Sequence, residues 1–382
     1  MKYAKPLIQT LSVSQNGFDY KKTIYQQPDK LTGVDDGSNS DYDSTATYNT
    51  GDYVVVPELK SIYRCTADNV SGKFPPEYPD IWVDWGFLNS YKMLSNDEEI
   101  GAQTTGTDMF VEYAFNQLDT VGIVNTHFTE MVLEEIDNNN SVVTGENAGT
   151  GDGNTKEFYL DNKLVARNSE TVYIDGTAKT RDTDYTIDYF EGKITFNTAP
   201  DSGSNITADY TKCVVKRKIL GRDIGCLSFA GYFYDDIREK SRVIITDLVW
   251  LPSATLRMYF TGDSQIGSLV IGRIQDFGIT LMGTSMSFED KSKIANNTFN
   301  NTRKVIRYGH IRVLKAKVIF DVPDYNITAQ KVNDVIGRNI LFVPDESDKF
   351  YEMSNIAYIE NFDMPLDNPV LFQANTTIIG VA

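Results

Sequence analysis

Histidine and cysteine are scarce in this chain, and their scarcity closes off whole classes of chemistry. Only His127 and His310 occur in 382 residues, and neither sits in an HExxH or similar ligand spacing. A transition-metal centre or a Ser-His-Asp hydrolase is therefore not expected, and no metal or cofactor is called for. The three cysteines, Cys65, Cys213 and Cys226, cannot all pair and form no CxxC. They read as buried thiols rather than a disulfide framework. Basic residues are also in deficit: 36 Lys and Arg face 53 Asp and Glu, for a net charge of −17. Nonspecific nucleic-acid binding depends on neutralising phosphates, so no nucleic-acid partner is expected. The one basic cluster, Lys212, Lys216, Arg217, Lys218 and Arg222, lies in a β-like run and reads as a solvated strand face or an intersubunit contact. No apolar run approaches the length of a membrane span, and the start carries no signal-peptide pattern. Synthesis or assembly in the cytoplasm, without membrane insertion, is the expectation.

What is present is β signal. Short runs rich in Val, Ile, Tyr and Phe recur between Gly, Asn, Asp and Pro, and this pattern predicts a mainly all-β protein. Residues 1–47 open with strand-like pieces around Leu7, Ile8, Leu11 and Val13, then give way to the polar segment 29–47, which reads as an acidic loop or arm. Asp35, Asp36, Asp41 and Asp43 in that segment lack the spacing of an EF-hand and its terminal glutamate.

Residues 48–95 form the most legible unit. A β signal at Tyr53-Val54-Val55-Val56 precedes a second one around Ile62, Tyr63 and Cys65, a Pro-rich loop follows, and Trp82 and Trp85 close it. Aliphatic residues are few here, so the aromatics must supply much of the core, and so small a unit is expected to lean on a larger neighbour.

A second unit occupies residues 146–212. Strands are expected at 157–160, 171–174, 185–189, 193–196 and 206–210, each bounded by a turn signal such as Asp175-Gly176 or Glu191-Gly192. Five strands so regularly spaced predict a small sandwich or meander. The remainder, 96–145 with 213–382, reads as one β-sandwich or barrel-like scaffold into which both units are embedded. Gly267, Gly272, Gly278 and Gly283 lack the strand-to-helix context of a phosphate loop and read as bulges and turns. Residues 305–320 read as one long strand or a bent pair. One or two short helices are expected, the best at 328–339, with Thr328 as its cap and Val332, Val335 and Ile336 on one face.

Several of these stretches carry a family resemblance. Gly51-Asp52-Tyr53-Val54, Ile62-Tyr63-Arg64-Cys65, Pro79 and Trp82 resemble the small chitin-binding modules of bacterial chitinases. The continuation through Asp84, Gly86, Asn89, Tyr91 and Met93 is similar to a module inside tail proteins of double-stranded DNA bacteriophages. The unit at 146–212 resembles a phage virion module in its pieces at 172–176, 184–187, 192–196, 199–200 and 206–210. Tyr232-Phe233-Tyr234, Arg238, Ile245-Thr246-Asp247-Leu248, Val270-Ile271-Gly272, Phe277-Gly278 and Ser287-Phe288-Glu289-Asp290 resemble the body of the same tail proteins. The nearest likeness is to the non-contractile tail sheath of podoviruses that package their own RNA polymerase.

The resemblance implies a virion structural protein of the tail, assembled in the host cytoplasm. Its partners would be copies of itself in a ring or sheath, other tail proteins, and a host receptor or glycan. The alternative it implies is a tail-tip adhesin whose Tyr63, Trp82 and Trp85 stack on sugar rings, against the plainer reading of these aromatics as core. A polysaccharide depolymerase would need two carboxylates about 5–10 Å apart. Asp80, Asp84, Asp182, Asp184 and Asp188 read instead as solvated turn residues, and no enzyme activity is expected.

Overall fold

The computed structural model describes residues 1–95, 103–223, 238–290, 293–297, 302–306, 310–321, 325–344, 353–365 and 371–380. Cys226 and the Tyr232-Phe233-Tyr234 motif lie outside the described residues. Strand accounts for 58% of the chain and helix for 7%, so the fold is all-β. Its body is a fifteen-stranded sheet in which every pairing is antiparallel.

The strand Lys2–Pro6 joins two halves of that sheet. It pairs with Asp263–Asp276 on one side and with Ile340–Val343 on the other. The first half holds Thr104–Phe115, Thr120–His127, Glu130–Asp137, Val215–Leu220 and Ala254–Thr261, and the second holds His310–Asp321, Asn355–Asp363 and Leu371–Gly380. Alternation sends the two central residues of the joining strand to different cores. Tyr3 stacks on Phe277, ring centroids 4.2 Å apart, among Leu314, Val318, Phe342 and Ile378. Ala4 packs with Tyr25, Val124, Val270, Leu341 and Ile356.

The 29–47 segment is not a free arm. Lys30–Val34 adds to the scaffold strand Thr104–Phe115, and Ser40–Asp41 pairs in parallel with Tyr53–Val56. Its Asp35, Asp36 and Asp43 are held by hydrogen bonds. The Asp36 carboxylate accepts the Ser90 N–H and hydroxyl at 2.6 and 2.7 Å, and Asp35 and Asp43 accept backbone N–H groups two residues on. These bonds fix polar chain that composition alone marks as loop. Before it, Ile8–Gln15 and Phe18–Tyr25 form a hairpin.

The 48–95 unit is a four-stranded sheet made of Ser40–Asp41, Tyr53–Val56, Ser61–Cys65 and Trp82–Phe87. Its inner residues Val54, Val56, Tyr63, Trp82, Phe87 and Met93 share one hydrophobic cluster with Val111, Met131, Leu256 and Ile266 of the scaffold. The short helix Asn89–Lys92 seats the unit there. Asn89 donates from Nδ2 to the carbonyls of Asp35 and Thr105, and its Oδ1 accepts the Thr105 N–H at 3.1 Å.

The second unit starts earlier than the glycine-rich break suggests, because that break is itself a strand. Val142–Thr150 pairs with Asn205–Thr211 through two register shifts, one at Thr144-Gly145 and one at Ala148. With Thr171–Ile174 and Thr177–Ala178 it makes one sheet, and Glu157–Tyr159, Lys193–Phe196 and Tyr185–Asp188 make the other. Phe158, Val172, Tyr185, Ile194, Phe196 and Ile206 fill the core between them.

Three local expectations need correction. The basic cluster is a solvated face only in part: Lys218 and Arg222 are exposed, the former paired with Glu130 at 2.7 Å, and Arg217 pairs with Asp247 at 2.6 Å, but Lys216 is buried against Glu134. Gly267 and Gly272 are not bulges but lie inside the continuous strand Asp263–Asp276. A Cβ on Gly272 would come within 2.5 Å of the Lys5 carbonyl oxygen, so the close approach of the joining strand requires glycine there. The helix runs Tyr325–Val335, with Thr328 buried on its inner face rather than capping it, while Ile336 is exposed. Gly337, at φ 72°, ends it in the left-handed conformation. Of the 305–320 stretch, Thr302–Ile306 and His310–Asp321 are separate strands. Cys65 and Cys213 are buried free thiols, and burial together with the Glu134 carboxylate pushes the Cys213 thiol up to about 12.

Candidate functional site

The outer face of the 48–95 sheet is built by strand alternation and one bulge. In Ser61–Cys65, the residues Ser61, Tyr63 and Cys65 turn inward, which leaves Arg64 on the outer face. Cross-strand register then aligns Tyr53, Arg64 and Val83 in a row, since Tyr53 pairs with Arg64 and Arg64 with Val83. Trp82 and Phe87 are five residues apart, so an unbroken strand would put them on opposite faces. Both are buried. The bulge that reconciles them falls between the pairs Ile62–Gly86 and Tyr63–Asp84, and Trp85 is the extra residue. Gly86 takes φ 106° at this point, and its N–H is accepted by the Asp84 carboxylate at 3.0 Å. Alternation puts Trp85, three residues from Trp82, on the outer face, and the bulge returns Phe87 to the core.

The three expected stacking aromatics consequently have different fates. Trp82 is 1% exposed, with its indole N–H donating to the Lys73 carbonyl at 3.0 Å and its ring edge-on to Tyr42 and Tyr48. Tyr63 is 5% exposed, and burial with Asp84 nearby raises its hydroxyl well above the usual tyrosine range. Neither offers a ring face to a ligand, because a core this poor in aliphatic side chains takes its large rings for itself. Trp85 is the exception, at 56% exposed.

Its partners are residues that carried no such expectation. Tyr53, 38% exposed, meets Trp85 edge to face at 5.6 Å between centroids. The Arg64 guanidinium lies over both rings, 5.5 Å from the Trp85 centroid and 5.9 Å from that of Tyr53. Among the described residues Arg64 has no acid partner and no side-chain hydrogen bond, and its Nε is shielded from solvent without an acceptor. The sequence signal lies in the same two motifs: Arg64 is one position of alternation from Tyr63, and Tyr53 is its cross-strand partner.

No protein-family model, curated protein or solved structure matches this chain. The site is therefore read from its own chemistry: two exposed rings for stacking, with an unpaired cation between them.

The carboxylates weighed for catalysis hold local structure. Asp84 Oδ2 lies 2.5 Å from Lys22 Nζ, Asp184 accepts the Thr180 N–H, and Asp188 accepts the N–H groups of Phe190 and Glu191. Among the described residues no three His, Cys, Asp or Glu side chains gather as a metal site.

Proposed function

We propose that this chain is a structural subunit of a bacteriophage tail, a ring or sheath component around the tail or at its tip that assembles with copies of itself. The resemblance of its two small units and its scaffold to tail proteins supports this reading. The observation that carries the self-assembly is an open, apolar sheet edge. Ile279–Thr280 and Ser285–Asp290 both pair with His310–Asp321, one after the other, and among the described residues Ile279–Thr280 has no strand on its other side. Ile279 is 71% exposed and Met282, in the turn between them, 98%. An unpaired edge flanked by exposed apolar side chains invites a second chain. Light scattering and negative-stain imaging of the purified protein test the reading. A closed ring, lost in Met282→Lys with Ile279→Lys, is the expected outcome. A monomer that is also missing from purified particles of the phage encoding it would overturn it.

A second reading, a carbohydrate-binding adhesin of the tail tip, is favoured by the exposed Tyr53–Arg64–Trp85 face. The two readings are compatible, since the face sits on a unit whose core is continuous with the scaffold.

A further inference from the structure

The Tyr53–Arg64–Trp85 face combines two features that point to different parts of one ligand. Exposed indole and phenol rings offer flat apolar surface of the kind that packs against the C–H face of a sugar. The guanidinium between them offers planar N–H donors suited to a carboxylate.

The state of Arg64 is what narrows the ligand. Acids outnumber bases in this chain, and other arginines have found them: Arg217 pairs with Asp247, Arg257 with Glu112 and Arg181 with Glu170. Arg64 instead rests on two rings, with its Nε withdrawn from water and unpaired. The terminal N–H groups of the guanidinium also have no acceptor among the described residues, and these are the donors that an incoming carboxylate can reach. The nearest acid in the outer strand, Asp84, is already held by Lys22 and the Gly86 N–H.

Resting on the adhesin reading above, we propose that this face binds an acidic saccharide, with a carboxylate of a uronic acid-type residue on Arg64 and the pyranose of the same or the adjoining residue on Trp85. Charge complementarity selects the acidic sugar over a neutral one, and the ring stack holds the guanidinium in place before the ligand arrives, which reduces the ordering needed on binding.

The test is calorimetric titration of the full chain with oligomers of galacturonate, glucuronate and mannuronate, each beside its carboxyl-reduced neutral form. At least one uronate oligomer is expected to bind more tightly than its reduced form by about tenfold or more, the worth of a charge-assisted hydrogen-bond pair. Arg64→Gln should abolish that preference while keeping weak binding, and Trp85→Ala should weaken both forms. Unchanged melting temperatures would show that both variants fold. Equal binding of acidic and reduced forms, or a preference that survives Arg64→Gln, would overturn the acidic-sugar assignment and leave the adhesin reading standing. Failure of every oligomer to bind would overturn both.

Discussion

Lys216 Nζ lies 2.8 Å from Glu134 Oε1, with both side chains essentially excluded from solvent, at the junction of the inserted sandwich and the scaffold. The two strands that carry them, Glu130–Asp137 and Val215–Leu220, are scaffold neighbours, and their residues pair directly. The insert closes over the pair from outside. The Arg167 N–H donates to Glu134, the Lys216 ammonium donates to the Val165 carbonyl, and the rings of Tyr189 and Phe190 cover Lys216. The pair thus ties the insert to the scaffold through chemistry rather than through chain connectivity alone.

Removing one partner leaves the other charge buried. Lys216→Ala is expected to destabilise the protein by about 3–5 kcal/mol, whereas the double change Glu134→Leu with Lys216→Met should lose less, its remaining cost being the Arg167 N–H and Val165 carbonyl left without these partners. Urea denaturation of the parent and both variants measures the difference. Equal losses in the single and double variants would show that the pair's apolar packing, not its charge, sets the cost.

Trp82 and Trp85 are three residues apart and should behave oppositely. Trp82→Ala empties a buried site and should cost about 3–5 kcal/mol. Trp85→Ala touches an exposed ring and should stay within about 0.5 kcal/mol of the parent. Paired thermal melts decide it, and a large loss in the Trp85 variant would mean that its ring supports the fold.

Tyr3 belongs to the strand that joins the two halves of the sheet, and none of its side chain is exposed. Tyr3→Ala should cost about 3–5 kcal/mol, the range for large aromatic truncations in cores. Because Tyr3 packs into the core of the second half, hydrogen exchange should rise there first, in Ile340–Val343 and Asn355–Asp363. A uniform rise across both halves would show that the sheet opens as one unit.

Glu135 gives a pH signature. Burial raises its carboxyl above the ordinary 4.5, against the opposing effects of the Val249 N–H and Arg217, while Asp247 adds to the rise. The folded state therefore holds this proton more tightly than the unfolded chain. The associated stability is complete below the unfolded pKa and is lost as pH rises through the folded one. Glu135→Gln keeps an acceptor for Val249 and removes the titration. The variant's stability relative to the parent should thus increase from acid toward neutral pH, as read from melts across that range. Asp247, lowered by its bond to Arg217, contributes in the opposite sense and is present in both proteins, so the difference reports Glu135 together with its coupling to Asp247. A constant difference would rule out the titration as its source.

The β class was legible because alternation and turn chemistry are local. Asp175-Gly176 and Glu191-Gly192 mark turns, and the strands on either side of them follow, because side-chain period and turn geometry are properties of a few adjacent residues. The helix is legible for the same reason, but not its start, because Thr328 has the residue type of a cap and lies buried within the helix. The aromatic unit was legible as a unit, and its need for a larger neighbour followed from its own composition.

Tertiary structure decided what local pattern cannot encode. Polar chain at 30–34 becomes a strand only because Thr104–Phe115 presents an edge to it, and Lys216 becomes a buried ion only because the insert folds over Glu134. At the candidate site a single bulge reverses the alternation after Trp85, so that Phe87 joins Trp82 in the core while Trp85 stays on the solvent side. Sequence determined which residues were aromatic and roughly where the strands ran. Which rings face a ligand depended on register between strands, and register is set by the partner strand rather than by the residues themselves.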